Sequence, residues 1–231
     1  MEEIMFEIKI KLTTKSNCLI GNQTESFSVG GVDQSTSIDN AGKPIIHGSS
    51  FKGALRNIIR ENDSEMPKTK EYIKEILKEL IDKYNQIDFE GKIEKLEKIK
   101  MQIEEYASNP KAEYIFGIQG LNGIPRIFCT DFVLSKDKQI EDYFSIDTKT
   151  SLEEKEGEIL SRPRTYRVIR PGVDFEGIVH FKNSYYNPKN IDLEEVKEEL
   201  ESMIEKFNNG FYGIGNSKSR GYGHIEISIL H

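Results

Sequence analysis

Two glycine-rich segments, far apart in the sequence, constrain this chain more than any other feature. Residues 48–56 read GSSFKGALR, and residues 213–223 read GIGNSKSRGYG. Glycine allows the backbone to approach a ligand closely, and hydroxyl groups beside isolated cations suit phosphates. The 231-residue chain has a formal net charge of -7, so general basic character does not explain these segments. Together they indicate a specific surface for RNA or DNA.

The basic residues of this acidic chain are concentrated in segments that contain no acid. Residues 42–60 and 160–173 lack aspartate and glutamate, whereas acids accumulate in residues 61–113 and 192–205, where helices are expected. The cations are Lys43, Lys52, Arg56 and Arg60 in the first segment and Arg162, Arg164, Arg167 and Arg170 in the second. The overall acidity therefore does not exclude a basic groove.

Composition and missing motifs disfavour several classes of protein. No run of about 18 apolar residues is present, so no membrane span is expected, and the first residues lack the pattern of a signal peptide. The cytoplasm is the default compartment. Cys18 and Cys129 form no CxxC pair, so neither structural zinc nor a disulfide framework is expected. The four histidines have no metal-ligand spacing, and the motifs of conventional hydrolases are absent.

Hydrophobic periodicity predicts an α+β fold with a β-α-β-β-α-β core. The predicted strands cover residues 6–12, 124–134, 175–181 and 225–229, and the predicted helices begin at Ser49 or Ser50 and at Asp192. Serine is expected to cap the first helix, and Asp192 with Glu195 forms a capping box for the second. This order of elements is the ferredoxin-like arrangement of many RNA-recognition modules.

Three long segments interrupt or connect the core elements. Residues 68–85 and 92–107 each have helical periodicity, which predicts an inserted helical hairpin with a charged outer face. Residues 135–161 are charged and weakly periodic, so they are predicted to project from the core or to be mobile. Residues 13–47 are rich in Gly, Ser, Thr, Asn and Asp and are predicted to form a long functional loop.

The first glycine-rich segment is not a nucleotide-binding P-loop, because Ala54 stands where that motif requires lysine. What remains is a helix N-terminus with free N–H groups, and with Lys52 and Arg56 one turn apart. This arrangement could seat one or two backbone phosphates, while a capped surface helix with solvated cations is the alternative. His47 adjoins the segment and could assist.

The second glycine-rich segment does not match a dinucleotide-binding fingerprint either. Lys218 stands at the position of the third glycine, and the segment connects a helix to a strand rather than a strand to a helix. Four glycines could instead lay the backbone against a ligand, with charge from Lys218 and Arg220. These glycines are Gly213, Gly215, Gly221 and Gly223. A flexible turn before the last strand is the alternative.

Two further features could take part in binding or chemistry. In residues 162–172, arginines alternate with Tyr166, a combination that can bind phosphates and stack on bases, although an isolated basic strand is commonplace. Asp33 lies in the long first loop. It is either a turn residue that bonds nearby N–H groups, or a single carboxylate that holds a hydrated divalent cation or orients the attack of a 2′-OH on a phosphodiester.

These residues together resemble a known family. The order of residues 48–56, Phe116-Gly117, Arg126-Ile127, Asp131 and the second glycine-rich segment resembles the RAMP superfamily of CRISPR-associated proteins. Residues 164–175, RTYRVIRPGVDF, and Gly31-Val32-Asp33 resemble more narrowly the repeated backbone subunit of type III effector complexes, the Csm/Cmr-type subunit that cleaves target RNA.

The resemblance implies one domain over residues 1–231, with a helical insertion at about 61–113 and a β-hairpin "thumb" within about 135–173. Copies of such subunits stack along a CRISPR guide RNA, together with other type III effector subunits, and their thumbs push guide–target pairs apart at regular intervals. Asp33 matches the catalytic aspartate, which implies cleavage of target RNA that depends on Mg²⁺ or another divalent cation. The implied RNA-binding residues are Ser49, Ser50, Lys52, Arg56, Arg164, Arg167, Arg170, Lys218 and Arg220.

The chain also departs from the family pattern. His47 replaces a usual proline, the segment after Asp33 is rich in serine and threonine, and residues 61–113 lack the zinc ligands of some relatives. Two alternatives therefore stay open. One is a non-catalytic structural or capping subunit of the same complex. The other is a CRISPR-RNA processing ribonuclease that needs no metal and uses a general base such as His47.

Overall fold

The computed structural model describes residues 4–21, 32–86, 93–121, 124, 126–136, 139–155, 158–182, 188 and 191–230, with the backbone alone at 93–96, 151–155, 158–160 and 162. The helices are α1 (Gly48–Glu61), α2 (Pro67–Gln86), α3 (Ile93–Ser108) and α4 (Leu193–Glu205). The strands are β1 (Ile4–Thr14), β2 (Gln34–Ser35), β3 (Ile127–Cys129), β4 (Val133–Leu134), β5 (Phe144–Lys155), β6 (Glu158–Ile169), β7 (Asp174–Lys182) and β8 (Ile225–Leu230). Short 3-10 turns cover Asp63–Glu65, Ala112–Phe116, Ile140–Tyr143, Lys206–Asn209 and Lys218–Arg220.

The larger sheet has the strand order β3-β7-β1-β8, and β4 also pairs with β7. Strands β1 and β8 are antiparallel, from Lys9 opposite Leu230 to Thr14 opposite Ile225. With the insertions set aside, the core elements follow one another along the chain as β1-α1-β3-β7-α4-β8. This chain order, together with the strand order β3-β7-β1-β8 in the sheet, is the ferredoxin-like arrangement. The predicted α+β, ferredoxin-like core is confirmed.

Strict alternation of apolar residues explains why β1 and β7 lie at the centre of that sheet. In β1, Ile8, Ile10 and Leu12 are buried, while Lys9 between them is exposed. In β7, the residues with odd numbers are buried, including Phe175. Successive side chains of a strand point to opposite faces, so one face of each strand contributes to the core.

The second sheet contains the hairpin formed by β5 and β6, with β2 on the other edge of β6. Strands β5 and β6 are antiparallel from Phe144 opposite Ile169 to Lys155 opposite Glu158. The β-hairpin that the family resemblance implies within about 135–173 is confirmed. The residue pattern of 135–161 does not by itself predict its strands, because most residues of β5 are charged or hydroxylated.

The chain divides into two compact units. The first comprises Met1–Ile8, Leu55–Phe128 and Val179–Ile204, and the second comprises Lys9–Ala54, Cys129–Ile178 and Glu205–His231. The chain crosses from one unit to the other within β1, α1, β3 and β7 and before the last residue of α4.

The first unit contains the predicted helical insertion, which α2 and α3 confirm. Tyr72 on α2 packs against Phe181, with ring centroids 5.5 Å apart. Phe6 stacks on Phe181 as well, with ring centroids 4.6 Å apart. Glu199 on α4 accepts hydrogen bonds from the backbone N–H groups of Lys68 and Thr69, at 2.8 Å each, and thereby caps α2.

Asp192 caps α4 as predicted, because the N–H of Glu194 donates to Asp192 Oδ1 at 2.9 Å. The carboxylate of Glu195 lies 3.0 Å from Lys68 Nζ at the start of α2. Glu195 therefore links two helices, a role that the capping-box pattern alone does not reveal.

In the second unit, the predicted strand over 124–134 is interrupted between β3 and β4. Phe132 turns into the core, where it is fully buried and exchanges backbone hydrogen bonds with Ile46. A Cβ on Gly177 of β7 would lie 2.7 Å from the Phe132 ring, so glycine at that position makes room for it. Phe51 of α1 packs on the same ring, with centroids 4.6 Å apart. This aromatic packing divides the strand.

The turn from β6 to β7 is fixed by one buried hydroxyl. Thr14 Oγ1 donates to Arg170 O at 2.6 Å and accepts from the N–H of Val173 at 3.0 Å, while the N–H of Gly172 donates to Thr14 O at 2.7 Å. Gly172 has a φ of +81°, which a glycine adopts without strain. Thr14 therefore holds the turn that follows the hairpin against the end of β1.

Among the helices of the described residues, none combines the length and the apolar character that crossing a bilayer requires.

Asp174, at the start of β7, provides a test of this arrangement by pH. The hydroxyl of Thr13 donates to Asp174 at 2.7 Å and Lys11 Nζ lies 3.0 Å away, and these two neighbours hold the pKa of Asp174 below its ordinary value. A lowered folded-state pKa stabilises the fold above the unfolded pKa, and that stabilisation is lost as the pH falls through the folded pKa.

We expect Asp174→Asn to lower the free energy of unfolding by about 1 kcal/mol at neutral pH, measured by denaturant titration. The difference between wild type and variant should shrink below about pH 4, because the wild-type carboxylate then becomes neutral. A difference that stays constant from neutral to acidic pH would contradict this role for Asp174.

Candidate nucleic-acid interface

Asp33 is bonded to strand β6 through both its backbone and its side chain. Its N–H donates to Thr165 O at 2.8 Å, and the N–H of Thr165 donates to Asp33 Oδ2 at 2.6 Å. The next residues continue as β2, with Gln34 opposite Tyr166 in parallel register. Asp33 itself is exposed. Its carboxylate does bond an N–H group, as the turn interpretation held, but that group belongs to a distant strand.

Two arginines of β6, Arg164 and Arg167, lie close to Thr165 along the strand but do not share one face. Arg164 lies opposite Lys149, and Arg167 lies opposite Ile146. Residues three apart on a strand point to opposite faces, so these two cations flank Thr165 on different sides of the hairpin. The guanidinium of Arg167 lies 4.0 Å from the centroid of the Phe144 ring. Arg164 is exposed, and so is Arg170 just after β6.

The second glycine-rich segment folds back on itself. The N–H of Ile214 donates to Gly223 O at 2.9 Å, and Gly213 pairs with His224. A Cβ on Gly215 would collide with Leu19 O, and one on Gly223 would collide with Ile214 O. Sequence analysis assigned these glycines to ligand contact. The structure shows that the close approaches of Gly213, Gly215 and Gly223 are to the protein's own backbone.

The tip of this segment does present cations. Lys218 and Arg220 are exposed within a 3-10 turn, which follows Ser217 in the left-handed region at a φ of +59°. Gly221 has a φ of +83°, and a side chain added there would meet open space. The tip is thus the part of the segment that is open to a ligand.

Tyr222 connects the same segment to the hairpin. Its ring is buried with Leu19, Tyr166 and Val168, and its hydroxyl donates to Asp147 Oδ2 on β5. Burial, and then the neighbouring carboxylate, raise the pKa of Tyr222 above its ordinary value, so the hydroxyl remains a donor. Lys149 Nζ lies 3.7 Å from the centroid of the Tyr222 ring.

Sequence reasoning missed the roles of Tyr222, Asp147 and Lys149. Tyr222 carried a weak signal, because an aromatic residue between two glycines usually packs against something. Asp147 and Lys149 carried none, because they lie in a segment whose pattern did not even predict a strand.

Helix α1 begins at Gly48, before either serine that was expected to cap it. The N–H of Gly48 donates to Asp131 Oδ1 at 2.8 Å, and the N–H groups of Ser50 and Phe51 donate to His47 O. Three of the first four N–H groups of α1 therefore already have partners, and a carboxylate lies at the helix N-terminus. His47 Nδ1 lies 3.5 Å from Asp131 Oδ2, and both side chains are about half exposed.

Around this helix start, Ser49 is exposed, and Ser50 and Lys52 are half-buried. The thiol of Cys129 lies close enough to Lys52 to sense its charge, although burial dominates and raises the pKa of Cys129 to about 12. Side chains rather than backbone N–H groups would therefore bind a phosphate here.

Arg56 is paired with an acid in the first unit. Its Nε lies 3.2 Å from Glu113 Oε2, and the guanidinium of Arg60 reaches the same oxygen at 2.9 Å. Partial burial favours the neutral acid, but hydrogen bonds from Arg60 and Arg56 outweigh it and hold the pKa of Glu113 below its ordinary value. The assignment of Arg56 to RNA stays a prediction. It requires that Arg56 bind a phosphate while it keeps its ion pair with Glu113, or that this ion pair break.

Acidic side chains lie beside basic ones on the larger sheet. Lys11 Nζ lies 3.0 Å from Asp174, and the imidazole Nδ1 of His180 lies 3.2 Å from Glu7 Oε1. A shallow cavity of about 280 Å³ on this sheet is lined by Lys9 and Glu176 among other residues. A face with balanced charge does not attract a polyanion. The cations suited to RNA are instead those of β6 and of the loop tip.

Asp33 also bears on the implied divalent cation. Among the described residues, no group of three or more His, Cys, Asp or Glu side chains is placed to hold a metal ion. Mg²⁺ usually keeps several waters and binds through one or two carboxylates together with substrate phosphates. The exposed carboxylate of Asp33 fits that mode, in which bound RNA completes the coordination.

Salt dependence distinguishes Lys52 from Arg56 on α1. Each phosphate contact that is lost should reduce the slope of log K against log salt by about 0.7 for single-stranded RNA. We expect Lys52→Ala to reduce the slope by this amount, as measured by RNA titration of the assembled protein over a salt series. Arg56→Ala should leave the slope unchanged while Glu113 retains that arginine.

A matched variant, Glu113→Gln, weakens the hold on Arg56 without removing a cation. If Arg56 then binds phosphate, RNA affinity should rise and the slope should steepen. An unchanged slope in Lys52→Ala would contradict the placement of RNA at the start of α1.

Comparisons with known proteins find relatives of this chain. The family model of the RAMP superfamily matches residues 11–226. A chain in a cryo-EM structure of the type III-B Cmr-beta bound to cognate target RNA is 21% identical, with a TM-score of 0.57 over 97% of this chain and 60% of that chain. A chain in a cryo-EM structure of the apo state of type III-B Cmr-beta is 10% identical, with a TM-score of 0.50 over 97% of both chains. Curated protein sequences give no significant match.

These comparisons carry different weight. At such low identities, the two structural likenesses show the fold, and the present chain spans only 60% of the length of the first of those chains. The family model, by contrast, covers nearly the whole sequence, including Asp33 and both glycine-rich segments. The chain therefore belongs to the RAMP superfamily.

Proposed function

We propose that this chain is a backbone subunit of a type III CRISPR interference complex, which binds CRISPR guide RNA and cleaves complementary target RNA at regular intervals in antiviral defence. The observation that carries the proposal is the position of Asp33. Its exposed carboxylate is fixed at Thr165, between two arginines of a hairpin strand. Relatives of the same fold include one in a structure bound to cognate target RNA.

The hairpin supplies the groups that would hold an RNA strand. Arg164 and Arg167 lie on opposite faces of β6 and can each bind a phosphate through a planar fork of N–H donors. Ile146, opposite Arg167, is 61% exposed and offers an apolar surface to a ribose or base. An RNA strand that crosses the hairpin at this level would bring a phosphodiester close to Asp33.

Asp33 would then orient the attack of the adjacent ribose 2′-OH. The 2′-OH gives its proton to water as its oxygen forms the new bond to phosphorus. The bond from phosphorus to the 5′-oxygen breaks, that oxygen takes a proton from water, and the products carry a 2′,3′-cyclic phosphate and a 5′-OH. A divalent cation bound with the RNA would neutralise charge on the reacting phosphate. Asp33 can serve this chemistry while it accepts from Thr165, because a carboxylate accepts several hydrogen bonds.

Two substitutions of Asp33 separate chemistry from structure. In Asp33→Asn, the amide oxygen can still accept from the N–H of Thr165, whereas the negative charge is lost. In Asp33→Ala, both the bond and the charge are lost. We expect both variants to assemble on guide RNA and to lose target cleavage by about 10²- to 10⁴-fold, measured on denaturing gels with end-labelled target RNA.

A purely structural Asp33 gives a different pattern. Asp33→Asn would then cleave as wild type does, and only Asp33→Ala would fail. That result would leave the bond to Thr165 as the whole role of Asp33 and would assign the chemistry to another group. The non-catalytic structural or capping subunit predicts instead that no cleavage fragment can be assigned to this subunit. Wild-type fragments should be evenly spaced and should carry the end groups given above.

One geometric feature favours a second candidate function, a metal-independent ribonuclease that processes CRISPR RNA. Asp131 lies close enough to His47 to orient its imidazole as a general base, and Ser49 and Lys52 lie just beyond it on α1. Cleavage that persists in EDTA and is lost in His47→Ala would favour this function. Cleavage that requires a divalent cation and survives His47→Ala would exclude it.

A further inference from the structure

The contact between Tyr222 and Asp147 has a specific place in the hairpin. Asp147 lies opposite Tyr166, and the next residue, Thr148, lies opposite Thr165. Thr165 is the residue that Asp33 holds through two hydrogen bonds. The hairpin is therefore held on β6 by Asp33 and on β5 by Tyr222, at adjacent positions of one ladder.

The loop that carries Tyr222 is itself firmly attached. The N–H of Gly223 donates to Asn17 O at 2.9 Å, and the N–H of Asn216 donates to Leu19 O at 2.8 Å. Cys18, which lies between Asn17 and Leu19 in the sequence, exchanges backbone hydrogen bonds of 2.9 Å with Ile169 at the end of β6. The loop, the segment it is bonded to and the end of β6 thus form one hydrogen-bonded frame in the second unit.

Lys149 strengthens the contact from the second side. Its Nζ lies over the Tyr222 ring, two residues beyond Asp147 and on the same face of β5. A cation above the ring and a carboxylate at the hydroxyl attract complementary parts of one tyrosine. The ring of Tyr222 is buried and its hydroxyl has a partner, so the side chain can hold β5 in one position relative to the loop.

We propose that Tyr222 and Asp147 are positioning residues for RNA cleavage, which set the hairpin in its place relative to Asp33. The inference rests on the proposed function, and it assigns a role to the second glycine-rich segment that differs from RNA contact. Tyr222 touches no RNA in this account. It acts through β5, because the position of β5 determines where Thr165 and its arginines stand.

Removing the Tyr222 hydroxyl should therefore affect the reaction rather than the binding of RNA. Displacing a reacting group by about 1 Å can reduce a rate by about a hundredfold. We expect Tyr222→Phe and Asp147→Ala each to lower the single-turnover rate of target cleavage by about ten- to a hundredfold in the assembled complex. Guide and target affinity should stay within about twofold of wild type.

Two further measurements separate positioning from general loss of structure. The cleavage sites should become less uniform, so that each fragment on a sequencing gel is replaced by a small group of neighbouring lengths. The double variant Tyr222→Phe/Asp147→Ala should be no slower than the slower single variant, because both changes remove the same contact. Asp147→Asn keeps an acceptor oxygen and should recover most of the rate.

The matched control is Tyr106→Phe, which removes a tyrosine hydroxyl that accepts a hydrogen bond from Gln102 at 3.0 Å on α3 in the first unit. It should cleave as wild type does. Wild-type rates in Tyr222→Phe, or additive losses in the double variant, would overturn the inference. If Asp33→Asn cleaves normally, the proposed function fails. If Asp33→Asn is inactive and Tyr222→Phe is normal, only the positioning role fails.

Discussion

The hydrogen bonds between Asp33 and Thr165 determine where the rest of the candidate site can lie. They join the start of β2 to the middle of β6 and place a carboxylate at an edge that would otherwise be open. The arginines on either side of Thr165 can bind phosphates, but the carboxylate is the group that can direct a reaction. The carboxylate can do so only if the hairpin keeps one position, and the contact of Tyr222 with β5 provides that restraint.

Electrostatics in this acidic protein depend on local pairing more than on the total charge. Lys11 of β1 is balanced by Asp174 of β7, and Arg56 and Arg60 are balanced by Glu113. Such balanced pairs contribute little to the attraction of a polyanion at physiological salt. Arg164 of β6 and the cations of the loop tip are exposed, and for this reason the proposed RNA path follows the hairpin rather than the open face of the sheet.

The sequence predicted the elements whose pattern is local. Alternation in β1 and β7 and the helical periodicity of the insertion led to the ferredoxin-like core, because burial on one face leaves a period in the sequence. The cap of α1 was predicted wrongly because the acceptor, Asp131, comes from a distant part of the chain, the segment between β3 and β4. The strand β5 was implied by the family resemblance but not by the residue pattern, because its backbone pairing with β6 leaves no hydrophobic period.

The candidate site was predicted in its residue types more than in its arrangement. Asp33 and the arginines of β6 were identified from the sequence, but their adjacency at Thr165 was not. The glycines of the second segment were assigned to a ligand, although the backbone atoms that crowd Gly215 and Gly223 belong to the protein. Close approach requires glycine for either partner, so the sequence could not distinguish a ligand from a neighbouring chain segment.

A cryo-EM structure of the assembled complex with a target RNA that carries 2′-deoxy substitutions at the cleavage positions would test the central claim most directly. The account expects a target phosphate within reach of Asp33, directly or through one water or cation, at about 3–5 Å. It also expects neighbouring phosphates at Arg164 and Arg167. RNA that runs along the outer face of β1 and β7, with Asp33 far from any phosphate, would contradict it.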